Sequence, residues 1–202
     1  MHEYLQELTR RLQAQLGDQL VAAWVVGSSA LGDFDAARSD VDVQAVVAER
    51  LEPEALRELA TALSAVECPV RGLEFVLYAR EDLTDPEGPA FSLNLNTGPG
   101  MDHHEGYDPD AEPRFWFVLD LEIAREHGKS LVGPHPRELV GELDVRTALR
   151  ESLAWWRDYG GEQALVAACR THAWLETGRW LSKREAYAWY FDRLARAVQG
   201  RA

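Results

Sequence analysis

Apolar and polar positions change their period along this chain, and the changes predict its elements. Leu5, Leu8, Leu12 and Leu16 recur at helical spacing, so residues 3–16 predict an amphipathic helix that stops at Gly17. The unbroken apolar runs at 20–26 and 41–47 predict two buried strands. Residues 52–64 return to helical spacing, with Pro53 tolerated in the first turn. Residues 73–78 predict a third strand, whose alternation puts Glu74, Val76 and Tyr78 on one face. Helix and strand alternate in this half, which predicts a small mixed sheet flanked by helices.

Residues 81–113 break the pattern. They hold Asp85-Pro86, Gly88-Pro89, Gly98-Pro99-Gly100, Asp108-Pro109 and Glu112-Pro113, which predict a long loop region with a short strand at 91–95. The chain then turns helical, at 114–127, 144–159 and 162–177, with SLVGPHP as a connector. Ser182 to Glu185 form a capping-box pattern opening a last helix to about Val198. The aromatics Trp174, Trp180, Tyr187, Trp189, Tyr190 and Phe191 are expected to form the core of this helical part. The fold class expected is therefore α+β, with a sheet domain at 1–112 and a C-terminal helical bundle at 113–202.

Composition narrows the class. At 46% apolar and 27% charged over 202 residues, the chain fits an ordinary globular protein. No apolar run approaches the ~20 residues that span a bilayer. MHEYLQELTRRLQ lacks a signal-peptide apolar core, and Cys68 and Cys169 give neither a disulfide framework nor a metal spacing. A cytoplasmic, reducing location is expected, with no membrane partner. The net charge of −13 argues against a long nucleic acid as partner and suits a small cationic substrate. Seven basic residues against three acidic ones over 170–202 leave a basic tail that could meet a triphosphate.

Asp40-Val41-Asp42 carries the most chemistry. Alternate strand residues share a face, so these two carboxylates lie close together and repel unless a cation neutralises them. An all-oxygen site favours Mg²⁺. The upstream Gly27-Ser28 turn can bring backbone N–H groups and a hydroxyl to a phosphate. Metal beside phosphate suggests nucleotidyl transfer. Glu74, on the next strand after a helix, either faces solvent or joins the pair as a third ligand or as a base. Asp102-His103-His104-Glu105 has metal-ligating side chains, but on a loop too mobile for a preorganised site. The five acids from Asp102 to Glu112 could form a cation-attracting lid.

These features resemble the DNA polymerase beta-like nucleotidyltransferase superfamily. GSSALGDFDAARSDVDVQAVV, LEFVLY, DLEIAREHGKSLVGP and LVAACRTHAWLETGRWLSKREAYAWYFDRL further resemble, in order, segments of the streptomycin/spectinomycin adenylyltransferase family. The resemblance implies ATP as co-substrate, Mg²⁺, and a site in the cleft between a nucleotidyltransferase domain and a helical bundle. It implies metal ligation by Asp40 and Asp42, with Glu74 as the base for an acceptor hydroxyl. Ser28 and Ser39 would lie beside the phosphates, and Arg170 and Lys183 would bind them from the helical part. Trp156 and Asp158 match drug-contacting positions only loosely. The family's drug-touching Trp loop reads LNLNTG at Leu93–Gly98, without the Trp, and its nucleotide-contacting tyrosine in a longer C-terminus has no counterpart here. The expected function is AMP transfer to a hydroxyl of an aminoglycoside or aminocyclitol antibiotic, hence antibiotic resistance. The alternatives are a protein-directed nucleotidyltransferase of the toxin–antitoxin type and a catalytically silent nucleotide-binding module. The sequence leaves the oligomeric state open.

Overall fold

The computed structural model describes residues 1–85 and 89–199. Pro86 and Gly88 of the expected loop, and Arg201 of the basic tail, lie outside these residues. Helix α1 (His2–Leu16) leads to strand β1 (Leu20–Val25), short helix α2 (Gly27–Leu31), β2 (Val41–Val47), α3 (Pro53–Ser64) and β3 (Leu73–Ala79). Strands β4 (Phe91–Thr97) and β5 (His104–Gly106) follow, then α4 (Arg114–His127), β6 (Lys129–Val132) and α5 (Pro136–Leu139). Helices α6 (Val145–Tyr159), α7 (Gly161–Thr177) and α8 (Lys183–Gln199) complete the described chain.

The strands form one mixed sheet in the order β5-β4-β3-β2-β1-β6. Strands β2 and β3 are parallel, because α3 returns the chain to the same end of the sheet; the other pairs are antiparallel. The α+β class expected from the alternation is what the chain adopts. One face of the sheet is closed by α1 and α3. Leu8, Leu12, Leu59 and Leu63 bury their side chains there against Val43, Ala45, Phe75 and Leu77. Burial at this level stabilises by about 1.5–3 kcal/mol per large side chain.

The other face is closed only in part. Phe117, Leu121 and Ala124 of α4 cover Trp24, Val46, Tyr78 and Phe91. Strand β2 pairs Asp42 with Glu74, Gln44 with Val76, and Val46 with Tyr78, and β4 continues the rows with Asn96, Asn94 and Phe91. The rows therefore run from an apolar floor under α4 to a polar end that α4 leaves open.

Strand β6 joins this sheet from beyond residue 112, so the expected domain division falls inside the sheet's own chain. Helix α4 is shared: Val118 and Phe115 meet Ala148 of α6, and Ile123 meets Val145, Leu149 and Trp180. The connector SLVGPHP is in fact β6 followed by α5, which His135 and Glu138 close with a capping box. The expected core of aromatics is also corrected. Trp180 is buried and Trp174 packs beside it, but α8 buries only Ala186. Phe191 is 52% exposed, with Leu194 and Val198 exposed beyond it. No helix among the described residues is long and apolar enough to cross a membrane.

Candidate active site

The polar end of the sheet opens into a cleft, and each wall of the cleft has a local cause. The parallel register sets Asp42 beside Glu74 on one face. Asp40 stands just ahead of β2, half-buried. Gly27 opens α2 with φ 58°, and a Cβ there would overlap the Asp42 carboxylate. Glycine thus permits both the turn and the close approach. The Val26 N–H donates to the Asp42 carbonyl at 3.0 Å, which fixes the Gly27-Ser28 segment alongside it. The Ser39 hydroxyl accepts from the Asp35 N–H at 3.0 Å, tying down the turn just before Asp40.

The helical part supplies the opposite wall. Arg170 on α7 donates from Nε to the Leu181 carbonyl at 3.1 Å and lies 5.7 Å from the Trp180 ring centroid. Among the described residues, its buried Nη2 has no hydrogen-bond partner. The capping box expected at the start of α8 is present: Ser182 Oγ accepts from Glu185 N–H, and Glu185 Oε2 accepts from Ser182 N–H. Asp33 reinforces it from the loop after α2. Its carboxylate pairs with Arg184 Nη2 at 3.1 Å and accepts from the Arg184 N–H at 3.4 Å. Lys183, one residue away, lies close enough for its charge to act on Asp40 and Glu74.

The electrostatics show how crowded the carboxylates are. Burial pushes Asp42 well above the usual carboxylate range, and the charges of Glu74, Asp120 and Asp40 push the same way. Burial raises Asp40, with Arg71 and Lys183 opposing. Glu74 rises through burial and the charge of Asp40, opposed by its hydrogen bond with Asp42 and by Lys183 and Arg71. Burial lowers Arg170, while Asp120 and Asp42 hold its charge in place.

Asp120, on α4, is a residue that the sequence reading missed. Its side chain is open to solvent, yet protein crowds round it. Burial and the charge of Glu74 push it up to about 7, against Arg170 and Lys183. The helix FWFVLDLEIA offered a weak signal only. An acid on an amphipathic helix reads as solvent-facing, and Asp120 is solvent-facing, but the solvent is that of the cleft.

The structure thus brings together Asp40, Asp42, Glu74, Gly27, Arg170 and Lys183, with Ser28 and Ser39 in the flanking segments. Trp156 and Asp158 stand apart. Trp156 meets Tyr159 edge-on and the exposed Asp158 pairs with Arg157, and no interaction among the described residues links either to the carboxylates. His103 and His104 diverge to separate partners, Glu105 and Glu112. Among the described residues, no group of three His, Cys, Asp or Glu side chains forms a complete metal cage. A cavity of about 540 Å³ adjoins Glu74, lined by Arg71, Asn96, Met101, Asp102 and His104.

Among solved structures, the chain is similar to a spectinomycin adenyltransferase from Enterococcus faecialis, determined with ATP and spectinomycin. The TM-score is 0.72 and the identity 18%, over 92% of this chain and 80% of that one. At this identity the likeness is one of fold alone. A toxin–antitoxin complex with AMP-PNP (13% identity, TM-score 0.34, 76% of this chain and 90% of that one) also matches. So does a tri-AMPylated Shewanella oneidensis HEPN toxin with MNT antitoxin (12%, 0.34, 78% and 87%). Scores that low carry no argument. No family model matches the chain, and no curated protein matches it by sequence.

Proposed function

We propose that this chain is a Mg²⁺-dependent nucleotidyltransferase that moves AMP from ATP to a hydroxyl of a small cationic molecule, with an aminoglycoside or aminocyclitol as the leading acceptor class. One observation carries the reading: Asp40, Asp42 and Glu74 converge on one side of a cleft whose other side presents Arg170 and Lys183. The fold neighbour solved with ATP and spectinomycin supports it.

The donor set fits a divalent cation. Asp40 Oδ1 is buried and has no hydrogen-bond partner among the described residues, and Asp42 is held among like charges that a cation would relieve. Asp40 and Asp42 would hold the ion, with triphosphate oxygens completing a set that the side chains alone leave short. Held there, such an ion would supply neutralisation of the negative charge on the phosphates.

The chain's own residues supply position and proton transfer. Arg170 and Lys183 draw the triphosphate into the cleft, and Gly27 and Ser28 offer their backbone and hydroxyl groups to it. Glu74 accepts the proton of the acceptor hydroxyl. The oxygen attacks the α-phosphorus in line, and the bond from that phosphorus to the bridging oxygen breaks. Pyrophosphate leaves with the electron pair. Glu74 sits beside Asp42, so a cation on Asp42 would also hold Glu74 ionised and ready as a base. Four carboxylates face the cleft, counting Asp120, which favours an acceptor bearing ammonium or guanidinium groups.

The test is pyrophosphate release with Mg²⁺ and each nucleoside triphosphate, across streptomycin, spectinomycin and other aminoglycosides. Mass spectrometry follows the acceptor. Release that depends on one drug, matched by an added AMP and lost at least ~100-fold in Asp42→Asn, is the expected result. Undiminished release in Asp42→Asn refutes the metal assignment. Mg²⁺-dependent ATP binding without release for any acceptor would instead leave a silent nucleotide-binding module.

A further inference from the structure

Arg71 stands at the entry to β3, three residues before Glu74, and its guanidinium points back at Asp40. Nη1 lies 3.3 Å from Asp40 Oδ2. The other end of the group is tethered: Nε donates to the Gly100 carbonyl at 3.0 Å, and the Arg71 carbonyl accepts from the Gly100 N–H at 2.8 Å. The Arg71 side chain is 49% exposed and that of Asp40 only 15%. The pair therefore sits at the lip of the cleft, with the carboxylate inside. Oδ2 meets the guanidinium, while Oδ1 is buried with no hydrogen-bond partner among the described residues.

A fixed cation on one oxygen of a carboxylate repels a second cation arriving at the same group. It also offsets negative charge in the cleft, where Glu74 and Asp40 bear on Asp42 and Asp40 bears on Glu74. We propose that Arg71 is a resident counter-ion for Asp40 that a divalent cation must displace, so that the metal enters with the triphosphate rather than ahead of it. The triphosphate brings the negative charge that offsets a guanidinium no longer paired. Arg71 also forms part of the cavity wall beside Glu74, so the same displacement changes the charge that an incoming acceptor meets. This inference rests on the metal assignment proposed above.

The experiment measures Mn²⁺ binding, with no nucleotide present, by counting free ion through its electron paramagnetic resonance signal. Mn²⁺ stands in for Mg²⁺ and needs no acceptor. Arg71→Gln is expected to bind Mn²⁺ about three- to fivefold more tightly than the unsubstituted protein, the scale of a half-exposed ion pair. Arg71→Lys keeps the charge and is expected to stay closer to the unsubstituted affinity. Arg71→Met serves the same purpose as Arg71→Gln if that variant does not fold. Unchanged or weaker binding in the neutral variants overturns the counter-ion role. Asp42→Asn separates the two failures. If it loses Mn²⁺ while the neutral Arg71 variants match the unsubstituted protein, only this inference falls. If it binds Mn²⁺ as well as the unsubstituted protein, the metal assignment falls and the inference with it.

Discussion

A methyl group at Gly27 has nowhere to go. The backbone there has φ 58°, and the added carbon would overlap the Asp42 carboxylate. The first effect strains the fold and the second moves a functional group, and the two separate in measurement. Left-handed backbone at a residue with a Cβ costs about 1–2 kcal/mol, so Gly27→Ala should lower Tm by about 2–8 °C. The carboxylate is the end of a flexible side chain and can swing away, which spares the fold but misplaces a proposed metal ligand. Pyrophosphate release should then fall far more than stability does, by ~100-fold or more in a protein still folded at 25 °C. Calorimetry and turnover on the same preparation check this. Near-normal turnover would mean that Asp42 need not sit where this structure holds it.

Helix α8 shows the same division between holding and acting, one scale up. Ser182 and Glu185 cap it, Asp33 clasps it to the loop after α2, and Lys183 opens it with a charge that acts on Glu74. Lys183 is exposed. Lys183→Ala should therefore weaken ATP binding about tenfold while Tm moves by about 1 °C. Asp33→Ala should weaken ATP binding less and lower Tm more, because it loosens the helix rather than deleting the charge. Calorimetric titration and thermal melts distinguish the pair, and the reverse ranking would make Lys183 the structural residue. The cap of α8 was legible in sequence because a capping box is local: both partners lie within four residues. The clasp was not, since Asp33 and Arg184 are 151 positions apart. The same reason hid other elements. Strand β6 is four residues long and half-exposed, so only its pairing with β1 makes it a strand. Helix α2 has five residues, too few to show a period. Strand alternation marked Asp40-Val41-Asp42 in the sequence, but the pairing of Asp42 with Glu74 comes from the parallel register of β2 and β3, which the sequence reading left open. The apolar positions Phe191, Leu194 and Val198 misled the expectation of a bundle core, since a helical stripe records amphipathicity without saying what covers it.

Across the whole molecule, the cleft is a place where crowded charge costs stability. Asp42, Glu74 and Asp120 crowd one another with too few cations among them, and all three sit above the usual carboxylate range. A carboxyl raised in the folded state binds more protons there than in the unfolded chain, over the window between the two pKa values. Stability contributed by such a group is full below the unfolded value, near 4, and is lost as pH rises towards the folded value. For Asp120 the folded value is about 7, so its share of the loss falls between about pH 4 and 7. Glu7 works in the opposite sense. Its pairs with Arg10 and Arg11 lower it to about 2, so its contribution is present above the unfolded value and disappears only in stronger acid. The metal-free, nucleotide-free protein should then be most stable near pH 5 and should soften towards pH 8. Asp120→Asn removes one of the crowded charges. Its Tm should exceed that of the unsubstituted protein by about 1–3 °C at pH 8, and the gap should close by pH 5, where Asp120 is already protonated. Melts in EDTA from pH 5 to 8 read this directly. A variant less stable than the unsubstituted protein at pH 8 would show instead that Asp120 is stabilised as an anion by Arg170 and Lys183. In that case the cations of the helical part would be committed to holding the cleft together rather than kept for a triphosphate.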